Sequence, residues 1–314
     1  MLRHLFGFLI LGLSISIGSN SIAQKTVNSD EQRNALLIQK AEQGDMNAQY
    51  NLGMAYMRKD KLSSDDIIKM TKWFEMAAVQ GHESAQFFLG LIYMTGEDNI
   101  YQDSLKAQEW LEKAAEQGNT SALFVLGNMY SKGDGVKQNL AKAEELYEKA
   151  AEQGLPIDQH RLARMYEKGE SVAQDYEKAR KWYEKAAAQG DSAAQFNLGS
   201  LYYMGQGVRQ DYAKAKEWFE KAAEQGAVAG QFSLALLYYN GEGVRQDYGK
   251  AKEWYEKAAG QGDAFAQLNL GVLYHNGEGV RQDYAIAKEW YGKACDNGLQ
   301  KGCDYYKDLN QKGY

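Results

Sequence analysis

Residues able to do chemistry are few and far apart in this chain. Past His4, histidine occurs only at His82, His160 and His275, and cysteine only at Cys295 and Cys303. A hydrolytic zinc site of the common helical kind needs two histidines one turn apart with a glutamate beside the first, and a structural one needs closely paired Cys/His ligands. Neither pattern is present, and the Ser-x-x-Lys arrangement that gives a serine nucleophile its base occurs nowhere. A catalytic centre assembled from distant segments has no positive sign. The chain is therefore read as not an enzyme, with no catalytic residue, no metal and no cofactor. The acidic pair Glu144 and Glu145 reads as a solvated helix face. One cluster is different: "LPIDQHRLARMYEKGESVAQ" (155–174) sets His160, Arg164 and Glu167 at i, i+4 and i+7, on one helical face. A guanidinium there can hold a carboxylate or phosphate through two hydrogen bonds. Drift in an unimportant segment, with Arg164 and Glu167 pairing with each other, explains the same residues.

What must position these groups is a repeat. A Gln/Asn-Gly pair ends at Gly44, Gly81, Gly118, Gly154, Gly190, Gly226, Gly262 and Gly298, in steps of 37 and then 36 residues. Within each step a tyrosine keeps one phase (Tyr56, Tyr93, Tyr130, Tyr166, Tyr202, Tyr238, Tyr274), and a tryptophan or leucine keeps another (Trp73, Trp110, Leu146, Trp182, Trp218, Trp254, Trp290). Fixed periods of this size mean stacked supersecondary units. The fifth predicts two helices: Asp191 caps the first, Gly205 closes it in the left-handed conformation, and Asp211 caps the second. Apolar residues recur at helical spacing in both, and the large aromatics are expected in the core against small alanines.

Residues 1–23 fall outside the repeats. Arg3 and His4 precede the apolar run "LFGFLILGLSISI" (5–17), and Ser21 and Ala23 are small residues before Gln24. That layout predicts a secretory signal peptide cleaved after Ala23, hence a periplasmic or secreted protein with no stable membrane insertion after cleavage. An uncleaved anchor is the alternative, although 13 apolar residues fall short of the roughly 20 that span a bilayer. The formal net charge is −6, and both signs are interspersed in every repeat, which argues against nucleic acid as a partner.

The unit A-x-x-x-LG-x-x-Y-x-x-G-x-GV-x-QDY-x-KA-x-x-W-x-x-KAA-x-QG resembles the Sel-like repeat, a relative of the tetratricopeptide repeat. The resemblance covers residues 45–298 as seven units (45–81, 82–118, 119–154, 155–190, 191–226, 227–262, 263–298), with capping helices at 24–44 and 299–314. Early units depart from it: "MRKDKLSSDD" (57–66) lacks both turn glycines, and "TGEDNIYQD" (95–103) is one residue longer. The family implies an all-α fold, a right-handed α-solenoid of seven helix-turn-helix repeats whose concave groove binds a protein or peptide. Helix pairs that cannot bury their faces alone must stack, which agrees. By resemblance to tetratricopeptide repeats, the groove is lined by the first helix of each unit, two before, two after and five after the leucine of "LG". This nominates Phe124, Asn128 and Ser131, then His160, Arg164 and Glu167, then Phe196, Ser200, Tyr203, Phe232 and Tyr239. The alternative for the aromatic positions is packing between neighbouring helices.

By phase, Cys295 takes the place of Ala223 and Ala259, and Cys303 that of Gln231 and Gln267, so the two flank one inter-unit turn. An even pair in an exported chain reads as a disulfide, with two buried thiols as the alternative. The spacing is similar to that of the cysteine-rich Sel-like proteins of Helicobacter. Some members of that group are associated with β-lactam binding and hydrolysis, so a periplasmic peptidoglycan- or β-lactam-binding protein with β-lactamase activity is the second functional expectation. The first is a non-catalytic scaffold of the cell envelope that holds a protein or peptide partner.

Overall fold

The computed structural model describes residues 34–59, 62–96 and 102–314. The predicted signal segment, 1–23, lies outside them. The chain divides into two compact units, one up to Gln153 and one from Gly154 onward. In the first unit the helices are α1 (34–42), α2 (Met46–Met57), α3 (Ser64–Val79), α4 (Glu83–Thr95), α5 (Ser104–Glu116), α6 (Thr120–Lys132) and α7 (Leu140–Glu152). In the second they are α8 (Pro156–Lys168), α9 (Tyr176–Ala188), α10 (Ser192–Met204), α11 (Tyr212–Glu224), α12 (Val228–Asn240), α13 (Tyr248–Gly260), α14 (Ala264–Asn276), α15 (Tyr284–Asp296) and α16 (Gln300–Gln311). Each unit is a stack of antiparallel helix pairs, an α-solenoid. No strand occurs among the described residues.

Capping chemistry sets these boundaries. The second helix of each pair from α5 onward starts at Asp103, Asn139, Asp175, Asp211, Asp247 or Asp283, whose carboxyl or amide oxygen accepts a backbone N–H of the first turn. The cap's own N–H donates back to the carbonyl of the phased tyrosine, as Asp211 does to Tyr202 at 2.9 Å. From α4 to α14 first helices end at a glycine with positive φ, such as Gly205 at 72°, a conformation that would strain any residue with a Cβ, whereas α2 ends at Arg58 in the right-handed region. α8 has no side-chain cap at Leu155, but Pro156 at its first position has no N–H to leave unpaired.

The core corrects one expectation. Of the phased tryptophans only Trp182 is buried; Trp73, Trp110, Trp218, Trp254 and Trp290 are half-buried. Over Trp110, Trp182, Trp218, Trp254 and Trp290 a lysine three residues on covers the ring, 3.6 Å from the centroid for Lys257 over Trp254 and 4.2 Å for Lys113 over Trp110. The buried knob is the next residue, Phe74, Leu111, Tyr147, Tyr183, Phe219, Tyr255 or Tyr291, none more than 3% exposed. Its seat is the glycine of "LG" in five of the seven pairs and Ala163 or Ala235 in the other two: a Cβ on Gly127 would stand 2.3 Å from the Tyr147 ring, and one on Gly199 2.7 Å from that of Phe219. Glycine lets the two helices approach until the ring meets backbone, and burying such a ring contributes about 1.5–3 kcal/mol.

Between pairs runs a ladder of buried amides. Gln49, Gln86, Gln195, Gln231 and Gln267 each donate to the carbonyl eight residues earlier, at 3.0–3.3 Å. Their oxygens accept from Gln80, Gln117, Gln225, Gln261 and Asn297 at 2.7–2.9 Å. Each buried amide is paired at both ends, so burial leaves no donor or acceptor stranded. At the end of the ladder Cys295 and Cys303 form a disulfide with Cα atoms 4.6 Å apart.

Candidate functional site

The nominated positions separate into packing residues and a face that stays open. In the first unit, Phe124 is 1% exposed and its ring lies 5.6 Å from that of Tyr147, so it is core, as the packing alternative holds. Ser131 is also buried, and its hydroxyl donates to the Asn128 carbonyl. Asn128 is half-buried; its side-chain oxygen accepts from the Tyr147 hydroxyl at 2.8 Å. These three serve the seat of Tyr147.

In the second unit, Phe196, Ser200, Tyr203, Phe232 and Tyr239 are all half-buried on the first helices α10 and α12. The Tyr203 hydroxyl donates to Glu242 at 3.0 Å, and that of Tyr239 donates to Glu278 at 2.9 Å, each reaching the turn of the following pair. Burial and then the glutamate raise both phenols, Tyr239 to about 12, so both remain protonated donors. Tyr212 and Tyr248 stand edge-on to the two rings, with centroids 5.2 Å away. Ring positions on this face are thus fixed before any ligand arrives. Ser200 donates to its own helix at Phe196.

His160, Arg164 and Glu167 share one face of α8 as their spacing predicts, and the pairing of Arg164 with Glu167 that the alternative reading offered does not form. Glu167 accepts instead from the Tyr183 hydroxyl, while Arg164 is exposed with no carboxylate of the described residues within ion-pair distance. Two residues that the sequence reading did not nominate complete the group. Tyr183 has one hydroxyl proton and gives it to Glu167, so the Asn197 atom 3.2 Å from its oxygen must be the donating amide nitrogen. That nitrogen is also 3.0 Å from His160 Nε2, which must then accept, leaving the imidazole proton on Nδ1. Burial lowers the His160 pKa and keeps the ring neutral. Neither stood out in the sequence: the Asn197 phase is also polar at Asn51, Arg161, Ser233 and Asn269, and the Tyr183 phase is also tyrosine at Tyr147, Tyr255 and Tyr291.

Among the described residues no group of His, Cys, Asp and Glu could hold a metal ion, and no helix is long and apolar enough to cross a membrane.

An α-solenoid of two-helix repeats with an open first-helix face is the architecture of an interaction scaffold. The Sel1 repeat pattern matches residues 47–82, 83–119, 120–155, 156–191, 192–226, 228–263 and 264–299, and the chain belongs to the Sel1 repeat family. The protein c5321, a protective antigen of uropathogenic Escherichia coli strains with this fold, is 38% identical over 90% of the chain, with a TM-score of 0.73. The chain spans about 60% of that structure's length. A Sel1 repeat protein from Oxalobacter formigenes is 30% identical, covering 97% of this chain and 99% of its own, with a TM-score of 0.47. Cysteine-rich protein B of Helicobacter pylori is 28% identical over 42% of this chain and 94% of its own, with a TM-score of 0.33. No curated protein matches significantly.

Proposed function

We propose that the protein is a non-catalytic scaffold of the cell envelope that holds a protein or peptide partner on the open face of its first helices. The observation that carries this reading is the row Phe196, Tyr203, Phe232 and Tyr239: aromatic, half-buried, and fixed by neighbours rather than free to collapse. Preformed aromatic anchors lose little side-chain freedom on binding, which is why such residues dominate interface energetics. Beside them Arg164 offers an unpaired guanidinium for the partner's acidic group. The disulfide favours an oxidising compartment. The description of the E. coli relative as a protective antigen also favours a site outside the cytoplasm.

The test is selection of peptides from a displayed random library on the purified protein, followed by re-measurement with the His160→Ala/Arg164→Ala double variant. The reading expects selected peptides to weaken several-fold in the variant while thermal stability changes little. Peptides that bind variant and parent equally would move the site elsewhere. Turnover of a chromogenic β-lactam by the same preparation would replace the scaffold reading with a hydrolytic one.

A further inference from the structure

On a different part of the second unit, the turn after α12 forms a cleft of about 530 Å³ with the starts of α11 and α13. Lys216, Arg245 and Lys250 all line it, beside Tyr238 and Asp247. Lys216 is held by Glu220 at 2.6 Å. Arg245 and Lys250 are exposed, and among the described residues neither has a carboxylate within ion-pair distance; Lys250 sits over the Tyr238 ring, 5.2 Å from its centroid. Asp247 is occupied in capping α13, where it accepts from the Lys250 backbone N–H. The cleft therefore gathers two exposed cations and the paired Lys216 beside the Asp247 carboxylate, a net positive lining next to a helix N-terminus.

The same set recurs one repeat earlier as Arg180, Arg209 and Lys214 beside Tyr202, and one repeat later as Lys252 and Arg281 beside Tyr274, with Ile286 in the lysine position. Arg209, Lys214 and Arg281 are likewise exposed and without ion pairs among the described residues. Arg180 supplies an independent sign of an absent acceptor: Glu184 engages its guanidinium at one nitrogen, but its Nε is buried with no partner. A buried donor left unpaired costs free energy that an incoming oxyanion would recover.

We propose that this edge of the second unit binds an anionic glycan, its phosphate or sulfate groups seated in successive clefts. Two basic positions recur in three successive repeats and a third recurs in two of them, an arrangement that suits a ligand whose charge also repeats. A polysaccharide does this by construction and a folded protein surface does not. The sites are unequal: the first two carry an exposed lysine, Lys214 or Lys250, and the last has Ile286 in that position.

The experiment titrates the purified protein at ~50 mM salt, where surface charge is weakly screened, with a heparin fragment for sulfate, a phosphomannan for phosphate, and unphosphorylated mannan and polyglutamate as controls. The proposal expects at least one charged glycan to bind, with affinity falling about tenfold or more in Arg209→Gln/Arg245→Gln/Arg281→Gln, a loss in keeping with several charged hydrogen bonds. Lys185→Gln/Lys221→Gln/Lys257→Gln removes as much charge from the tryptophan-covering lysines and should change it less than about twofold, as expected for scattered surface charge. Arg245→Gln alone should cost more than Arg281→Gln alone. Equal loss in the two triple variants would mean nonspecific charge attraction and overturn the site. Binding of neither charged glycan, or equal binding of mannan or polyglutamate, would overturn the ligand class.

Discussion

Cys303 is bonded to Cys295 at the two positions where Gln231 and Gln267 donate to Ala223 and Ala259, at 3.3 and 3.2 Å. A covalent bond has replaced an amide rung of the ladder, between α15 and α16. Closing this short loop stabilises by about 2.5 kcal/mol in the chain-entropy account. Reduction should therefore loosen α16 and leave the rest of the second unit protected. The Cys295→Ala/Cys303→Gln variant, which rebuilds the rung, should keep α16 protected in the presence of reductant. Hydrogen exchange with and without reductant checks both, and loss of protection throughout the unit would refute the local role.

Phe219, at 3% exposure, carries the packing that sequence reading gave to Trp218. Phe219→Ala should cost about 3–5 kcal/mol, as for a buried aromatic truncated to leave a cavity. Trp218→Ala should cost clearly less, because its half-buried ring loses mainly the contact with Lys221, now 4.0 Å away. Denaturant midpoints of the two variants decide the order.

Gly127 has no room for a methyl group beside Tyr147. Gly127→Ala should destabilise the first unit by about 1–3 kcal/mol through overpacking. Ala163 and Ala235 occupy the same position in two other repeats. A helix pair can thus be built around a methyl group, and the expected cost is that of forcing one into a pair built around glycine. A thermal midpoint equal to the parent's would contradict the tight seat.

His82 and His160 both accept hydrogen bonds, from the Ala85 N–H at 3.3 Å and from Asn197 at 3.0 Å, and both can do so only as neutral imidazoles. Burial lowers both below the ordinary 6.5. Asp191 and Glu167 pull His160 back upward, and Arg164 pushes it further down. With folded pKa values below the unfolded one, the unfolded chain binds more protons in the window between them. The stabilisation is complete above about 6.5 and is lost as pH falls from there through the folded values. Urea midpoints should drop between pH 7.5 and 5.5, and His160→Gln should flatten the drop for the second unit. A pH-independent midpoint in the parent would rule this out.

The repeat period, the helix pairs and their caps were legible because capping and glycine closure are local chemistry, written within one turn of Asp191, Gly205 and Asp211. Choosing between Trp218 and Phe219 as the buried knob was not, since adjacent residues differ by only 100° around a helix and the tilt of the pair decides which points inward. The triad on α8 was legible as a spacing. Its real partners, Tyr183 and Asn197, come from the next helix and the next pair, and no periodicity within α8 could reveal them. Phe124 and Phe196 stand in one sequence phase, yet only the first is fully buried.

The central claim, that a partner rests on the open face of the first helices, is tested most directly by a photo-crosslinking amino acid placed in living cells at Tyr203 or Tyr239 and, for comparison, at Trp218 or Trp254 on the second helices. The account predicts a discrete protein adduct from the first pair of positions, abolished by His160→Ala/Arg164→Ala, and none from the second pair. Adducts of equal yield from both pairs, or from the tryptophan positions alone, would contradict it.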